Sequence, residues 1–421
     1  MVYVISKNGQ PVMPTEDHRK VRLLLKSKKA KVIRRTPFTI QLLGASKTYT
    51  QAITLGVDAG SKHVGLSATT EKKELFAAEL RPRNDVVKLM SDRRELRRSR
   101  RNRTTRYRAA RFDNRVHGKH KGWLAPSVEV KIWNHIQGIK FVAKLLSITT
   151  IRVETAEFDL QRLKAMEAGA PLPVGRDYQL GEQYDEYNVR QYILHRDGYT
   201  CQRCGAHGTV KKSVKLHVHH LESRKVGGNA PDNLITLCED CHKAYHAGKI
   251  QLPLRIRRRR STRDAAFMGI MRKILMQRLR EMFPGVEIRS TYGYITKYWR
   301  EKKHIAKTHI SDAFVIAKNL GARRLEKSLL IVPKRQHNRQ IHKCKINKGG
   351  TRKLNQTPKY MFGYQLFDRV LCLGQEAFVF GRRSSGGFDI RKLDGIKINA
   401  NINYQKLRHL EYRKPILVSY V

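Results

Sequence analysis

The sequence predicts a multidomain α/β protein. Three observations lead there: 421 residues are enough for two to four compact units at roughly 150 residues each, strand-like and helix-like apolar segments alternate along the chain, and a dense Cys/His segment spans about 185–250. With 40% hydrophobic residues the chain can bury a real core, so it is not a disordered basic tail. The charge narrows the function classes. Against 86 Lys+Arg stand 35 Asp+Glu, a formal net charge of +51, which excludes an ordinary metabolic enzyme and points to a nucleic-acid partner that neutralises the excess. No stretch approaches the roughly 18 consecutive apolar residues of a membrane span, and the start, MVYVISKNGQ, lacks a secretory signal pattern, so a reducing cytoplasm and no membrane partner are expected.

Residues 1–50 read as a small basic module: a strand VYVI, a turn at Asn8-Gly9, the stretch PVMP at Pro11 to Pro14, a basic helix-like run HRKVRLLLKSKKAKVI and a strand FTIQLL. The texture then changes to AITLGVDAGSKHVGLSATT, an apolar strand closed by Asp58 and followed by a second strand at His63 to Ala68. Next comes DRRELRRSRRNRTTRYRAAR, in which Arg93, Arg94, Arg97, Arg98, Arg100, Arg101, Arg103, Arg106, Arg108 and Arg111 occupy nearly every face of a helix, with no Pro or Gly to stop it. No apolar stripe remains to dock such a helix on a protein core, and only Asp92 and Glu95 oppose the arginines, so it is expected to contact nucleic acid. Residues 127–150 look helical, IRVETAEFDL returns as a strand, and GAPLPVG reads as a connector. Beyond the Cys/His segment and the basic run RIRRRR, residues 262–282 form a helix, VEIRSTYGYITKYWR suggests strand and turn, and THISDAFVIAKNLG a further helix. The tail from about 336 is basic and β-rich, with a hairpin signal at Asp394-Gly395.

Six cysteines are too few for a disulfide scaffold, and four of them form two C-x-x-C pairs, Cys201/Cys204 and Cys238/Cys241. That spacing is that of a four-thiolate structural zinc site, in which the metal replaces a core too small to fold alone. Cys344 and Cys372 stand apart and read as free thiols in or near a core. Between and beside the knuckles, HVHHLESRKVGGNAPDNLITLCEDCHKAYH has the order and spacing of the HNH nuclease motif: His at a strand end, Asn in a loop, His opening a helix. His220 takes the place of the general base, His219 and His242 those of ligands to one magnesium ion, and Asn233 the loop position that orients or fixes the base. The chemistry suits these types, since an imidazole near neutrality can deprotonate a water while a hard cation stabilises the leaving oxygen. Many such motifs carry Asp directly before the base, where this chain has His219. A zinc ribbon with incidental histidines is the bland alternative, and it leaves the clustered His-His, Asn and His unexplained.

Three acids lie far apart in sequence: Asp58 at a strand end, Glu154 within the strand IRVETA, and Asp312 at a helix start with His309 one turn before it. Acids in apolar strands are costly unless they bind metal or are paired. On strand, strand and helix, in this order, they match the ribonuclease-H-like arrangement, whose carboxylates hold two magnesium ions about a phosphodiester.

Taken in order, GVDAGSKHVGLS, the arginine-rich helix, IRVETAEFDL, the HNH unit and THISDAF resemble IscB, the transposon-associated, RNA-guided nuclease family that carries a split RuvC nuclease with a bridge helix and an HNH insertion. PVMP resembles the PLMP motif of that family's N-terminal domain, with Val12 where Leu is usual. The resemblance implies an RNase H-like (RuvC) core split in three segments, an inserted zinc-containing ββα-metal HNH domain, an arginine-rich bridge helix and a β-rich C-terminal domain. Its boundaries would be a PLMP-like domain at 1–50, RuvC segments at 51–84, 119–178 and 257–335, the bridge helix at 85–118, the HNH domain at 179–256 and the RNA-binding, motif-reading tail at 336–421. Asp58, Glu154, His309 and Asp312 would be the RuvC catalytic positions, and His220 with His219, Asn233 and His242 the HNH ones. The implied cofactors are Mg2+, Zn2+ and a guide RNA, and the implied assembly is a monomeric ribonucleoprotein on double-stranded target DNA with a short flanking motif. The HNH centre would cut the guide-paired strand and the RuvC centre the displaced one. Two other classes remain at this level: a protein-only nuclease of the junction-resolvase or homing type, which copurifying RNA would discriminate, and a non-catalytic RNA-binding module, which leaves both metal constellations without a purpose.

Overall fold

A computed structural model of the protein describes residues 1–46, 49–101, 122–155, 171, 188–208, 213–222, 229, 231–252, 263–335, 349 and 358–421. The chain forms two compact units, Met1–Phe158 with Phe267–Val421, and Asp159–Ala266.

The first unit begins with β1 (Val2–Ile5), β2 (Pro11–Thr15), α1 (His18–Lys26), β3 (Ala30–Arg34) and β4 (Thr39–Leu42), whose sheet runs β2-β1-β4-β3. Val2, Val4, Val21, Ala30 and Ile40 form its core. The PVMP stretch is a strand, antiparallel to β1. One expectation is corrected here: the basic helix stops at Lys26 rather than running to Ile33. Asp17 caps its start, Ser27 caps its end, and Lys28 turns the chain out at φ 56 so that AKVIR can pair as β3.

The central sheet starts with the meander β5 (Thr54–Ala59), β6 (Val64–Thr69) and β7 (Glu74–Leu80), the last a strand that sequence reasoning did not single out. Helices α2 (Val86–Arg101) and α3 (Pro126–Ala143) lead to β8 (Thr150–Glu154), which lies parallel to β5. The apolar spacing of Ile132, Ile136, Ile139 and Val142 buries one stripe of α3 against β6 and β7. Gly138 permits the approach, because a Cβ there would sit 2.5 Å from Leu80 Cδ1.

The second unit contains α4 (Val189–Arg196), β9 (Leu216–His220), β10 (Leu234–Cys238) and α5 (Glu239–His246). β9 and β10 form an antiparallel ribbon, and a short 3-10 turn at Pro231–Asn233 leads into the second strand. Its apolar core is small: Cys201, Leu237, Cys238 and Leu252.

Back in the first unit, α6 (Arg263–Met282) precedes β11 (Glu287–Thr291), α7 (Gly293–Lys302), α8 (His309–Ile316) and β12 (Leu329–Pro333). The segment expected as strand and turn is thus strand followed by helix. Tyr292 stands in extended backbone, and the ten residues after it have no Pro to prevent a helix. The tail supplies β13 (Arg369–Cys372), β14 (Gln375–Arg382), β15 (Gly387–Arg391), β16 (Lys397–Asn403) and β17 (Arg408–Glu411), a five-stranded antiparallel sheet over Val370, Cys372, Val379, Phe388 and Ile390. The Asp394-Gly395 turn joins β15 to β16, with Gly395 at φ 101. The last strand, β18 (Ile416–Tyr420), leaves that sheet and pairs antiparallel with β12 in the central sheet. The full central order is β11-β8-β5-β6-β7-β12-β18. No helix among the described residues is long and apolar enough to cross a membrane.

Candidate active sites

β5 carries Asp58 because Leu55 and Val57 bury fully on the pleat while the acid reaches the strand's end. β8 carries Glu154 at its own end, beside β5 in parallel register. α8 then lies directly across β5 and β6: a Cβ on Gly56 would fall 1.9 Å from Ala313 O, and one on Gly65 1.8 Å from His309 O. Only glycine tolerates that approach. It brings His309 against Asp58, Nδ1 donating to Asp58 Oδ2 at 2.6 Å, and sets Asp312 near enough for its charge to interact with that of Asp58.

The three carboxyls act on one another. Burial raises Glu154 above the usual carboxylate range, and the charges of Asp58 and Asp312 raise it further, against a lowering hydrogen bond from Thr296. Burial raises Asp312 as well, helped by Asp58 and opposed by Arg300. The hydrogen bond to Asp58 in turn raises His309. Like charges held together in this way fit a divalent cation. So does Asp312 Oδ1, which is buried without a hydrogen-bond partner although Arg300 Nε lies 3.0 Å away as an ion pair. Three residues here were missed in the sequence: Thr296 Oγ1 donates to Glu154 Oε2 at 2.7 Å, Arg300 faces Asp312, and Gly293 lies so near Glu154 that a Cβ would be 3.0 Å from its Oε1. All belong to α7, the helix read as strand and turn, and their spacing of three and four residues is that of one helical face.

In the second unit the four thiols of Cys201, Cys204, Cys238 and Cys241 lie within 4.8 Å of one another. Cys204 Sγ and Cys238 Sγ are 3.7 Å apart, far beyond a disulfide bond. Burial alone would raise the Cys201 thiol, but backbone N–H groups of Cys204, Cys238 and Arg203 bring it down to about 6, and a thiolate is the form a zinc ion binds. Cys372 is buried in the tail sheet, and Cys344 lies outside the described residues.

Alternation along β9 sends His217 and His219 to one face and His220 to the other. His219 meets His242 and His246, whose ring nitrogens and its own lie within 4.8 Å of one another. His246 is the addition to the expected pair. Its signal was legible, since His242 and His246 stand four residues apart on one helix face. His219 Nε2 is buried without a hydrogen-bond partner, and burial together with His242, His246 and His220 pulls the ring down to about 4. A desolvated neutral imidazole with an orphaned nitrogen, beside two more, fits a metal. His217 stacks on His242 at 4.9 Å.

His220 Nε2 lies 3.0 Å from Asn229 Oδ1, a partner that sequence reasoning did not name. Asn233 acts on the backbone instead: its Oδ1 accepts from Glu222 N at 2.8 Å and its Nδ2 donates to Glu222 O at 3.1 Å, which fixes the chain just after His220. Arg196 and Asp197 brace the same ribbon, Arg196 donating to Pro231 O and Leu234 O and Asp197 accepting from Thr236 N.

Of the arginine run, Arg93, Arg94, Arg97 and Arg98 are exposed on α2, and Arg100 and Arg101 close its described length. Arg103, Arg106, Arg108 and Arg111 lie outside the described residues.

The family described as HNH endonuclease matches residues 201–248, and the one described as RRXRR protein matches residues 2–173. A probable HNH endonuclease of Lactococcus phage SK1 is 43% identical over 69 residues, taking in 14% of this chain and 72% of that protein. Anaredoxin of Nostoc sp. (strain PCC 7120 / SAG 25.82 / UTEX 2576) is 28% identical over 72 residues, 17% of this chain and 88% of that one. Streptococcus thermophilus Cas9 in complex with AGGA PAM aligns at 13% identity with a TM-score of 0.28, over 46% of this chain. The chain spans about a quarter of that Cas9, 26% of its length. The chain belongs to the HNH endonuclease family and is an endonuclease. With the RRXRR region ahead of the HNH unit, it is of the IscB-like kind.

Proposed function

We propose that the protein is an RNA-guided endonuclease that cuts both strands of a DNA target with two separate centres. The observation that carries this reading is the presence, in one chain of charge +51, of a carboxylate cluster on the central sheet and a histidine cluster in the second unit, together with an arginine helix that only a polyanion can surround. Asp58, Glu154 and Asp312 would hold two magnesium ions in a core of the RuvC type, formed by residues 51–84, 119–178 and 257–335. His219, His242 and His246 would hold one ion in the HNH unit, and the four cysteines a structural zinc. Bound metal supplies charge stabilisation of the attacking and leaving oxygens.

The chain's own residues do the rest. His220, next to the ligand His219 at the end of β9, takes the proton of the attacking water, and Asn233 keeps the turn behind it rigid. His309, held by Asp58, presents its other nitrogen to the phosphodiester at the carboxylate centre. The HNH centre cuts the guide-paired strand and the RuvC centre the displaced strand. The N-terminal module, the arginine helix and the tail hold a structured guide RNA, and the tail reads a short flanking DNA motif. Sequencing the RNA that copurifies with protein expressed beside its native flanking DNA tests the guidance. A discrete structured RNA species is the expected result, and a nucleic-acid-free enzyme that cuts DNA unaided would overturn it.

A further inference from the structure

The interactions of Asp58 continue past His309. The His309 ring lies parallel to the ring of His63, centroids 5.2 Å apart and planes within 6°. His63 Nδ1 in turn donates to Glu79 Oε1 at 3.0 Å, and the same oxygen accepts from Arg81 Nε at 2.8 Å. The backbone N–H of Arg81 is fixed to Ile331 O on β12. A continuous ladder therefore runs from the carboxylate centre through two stacked imidazoles to β12, the next-to-last strand of the central sheet.

The backbone at both rings is pinned. At the β5–β6 turn, a Cβ on Gly60 would lie 2.3 Å from His63 O, and at the start of α8 a Cβ on Gly65 would lie 1.8 Å from His309 O. Register places Glu79 opposite Gly65, beside His63. The side chain of His309 is 43% exposed and held through Nδ1, so among the described residues it is the stacked ring that limits its swing about that bond. Because each Nδ1 is engaged by a carboxylate, each ring keeps Nε2 for a ligand.

We propose that His63 is a positioning residue of the carboxylate centre: its ring, fixed by Glu79, is the wall against which His309 lies, so that Nε2 of His309 faces the scissile phosphodiester. The inference rests on the reading of Asp58, Glu154 and Asp312 as a nuclease centre. Misplacing a reacting group by about 1 Å can cost on the order of 10²-fold in rate, and an unstacked imidazole swings further than that.

The test uses the ribonucleoprotein with its copurifying RNA and a plasmid carrying the guide-matched target, each strand read separately. For His63→Ala the rate of displaced-strand cutting at saturating DNA should fall about 10- to 100-fold with half-saturation unchanged, and guide-paired-strand cutting should be unaffected. His63→Phe, which keeps a flat ring and loses both the bond to Glu79 and Nε2, should recover to within about threefold of wild type. An unchanged His63→Ala rate, a His63→Phe variant as slow as His63→Ala, or a parallel fall in both cuts would each overturn the proposal. An Asp58→Ala variant that still cut the displaced strand would instead overturn the nuclease reading beneath it.

Discussion

The two candidate centres are built by opposite means. In the first unit Asp58 and Asp312 are placed by packing: Leu55, Val57 and Leu66 are fully buried, and α8 rests on the glycines of β5 and β6. In the second unit, among the described residues, the core cluster is four side chains, two of them cysteines of the sulfur cluster. A sheet with a large core can hold costly half-buried acids ready before any metal arrives, whereas a ribbon with so small a core is the kind of unit that a bound ion would staple.

The comparison is broken or kept most decisively by removing one residue from each centre. Asp58→Ala should abolish cutting of the displaced strand and His220→Ala that of the guide-paired strand, each leaving a nickase on a strand-labelled duplex. Loss of both cuts from either change, with guided binding retained, would mean the centres are not independent. Next in size is Cys201→Ser. It should lose the bound zinc measured by elemental analysis and abolish HNH cutting, while the displaced-strand nick survives because none of the four cysteine ligands belongs to the first unit. Wild-type protein purified without zinc would remove the staple from the argument.

What could be read from the sequence follows the same divide. The cysteine pairs, His219, His220 and His242 are close in sequence, so spacing alone gathers them, and the i,i+4 pair His242/His246 needed only a helix to be seen as a third ligand. At the carboxylate centre the acids were legible as exceptions in apolar strands, but Thr296, Arg300 and Gly293 were not. Their helix, α7, is amphipathic in a way that aromatic residues and a preceding strand obscure. β7 escaped because ELFAAEL is apolar almost throughout, as a strand buried on both faces must be, and so has no alternation to betray it. The return of β18 to the central sheet is a pairing across more than eighty residues, which no local pattern encodes.

Smaller effects sharpen the contrast. Gly65→Ala puts a methyl group against the backbone oxygen of His309, with no flexible side chain to yield. It should destabilise the first unit by about 1–3 kcal/mol or more in denaturant unfolding and slow displaced-strand cutting, with the zinc content untouched. A variant of wild-type stability would show that α8 rides higher on the sheet. His246→Ala removes one of three nitrogens and leaves two, so HNH cutting should survive with the magnesium requirement raised by roughly 10- to 100-fold, as when a metal site loses a supporting group. An unchanged magnesium titration would take His246 out of the ligand set.

The last prediction concerns α2, which, among the described residues, contributes nothing to either cluster. Arg93, Arg94, Arg97 and Arg98 are exposed on it, and if they meet RNA phosphates their removal should act on both centres alike. Changing the four to Ala should weaken RNA binding, flatten the log-log salt slope by about 0.7 for each phosphate no longer neutralised, and reduce both cuts in the same ratio. That common ratio separates them from Asp58 and His220, whose removal splits the two strands. Filter binding at several salt concentrations, with cleavage of both labelled strands measured on the same preparations, reads all three quantities. Unchanged affinity and slope would make the helix a solvated charge run. A fall confined to one strand would instead assign the arginines to a single centre, and the guide RNA would have to be held elsewhere.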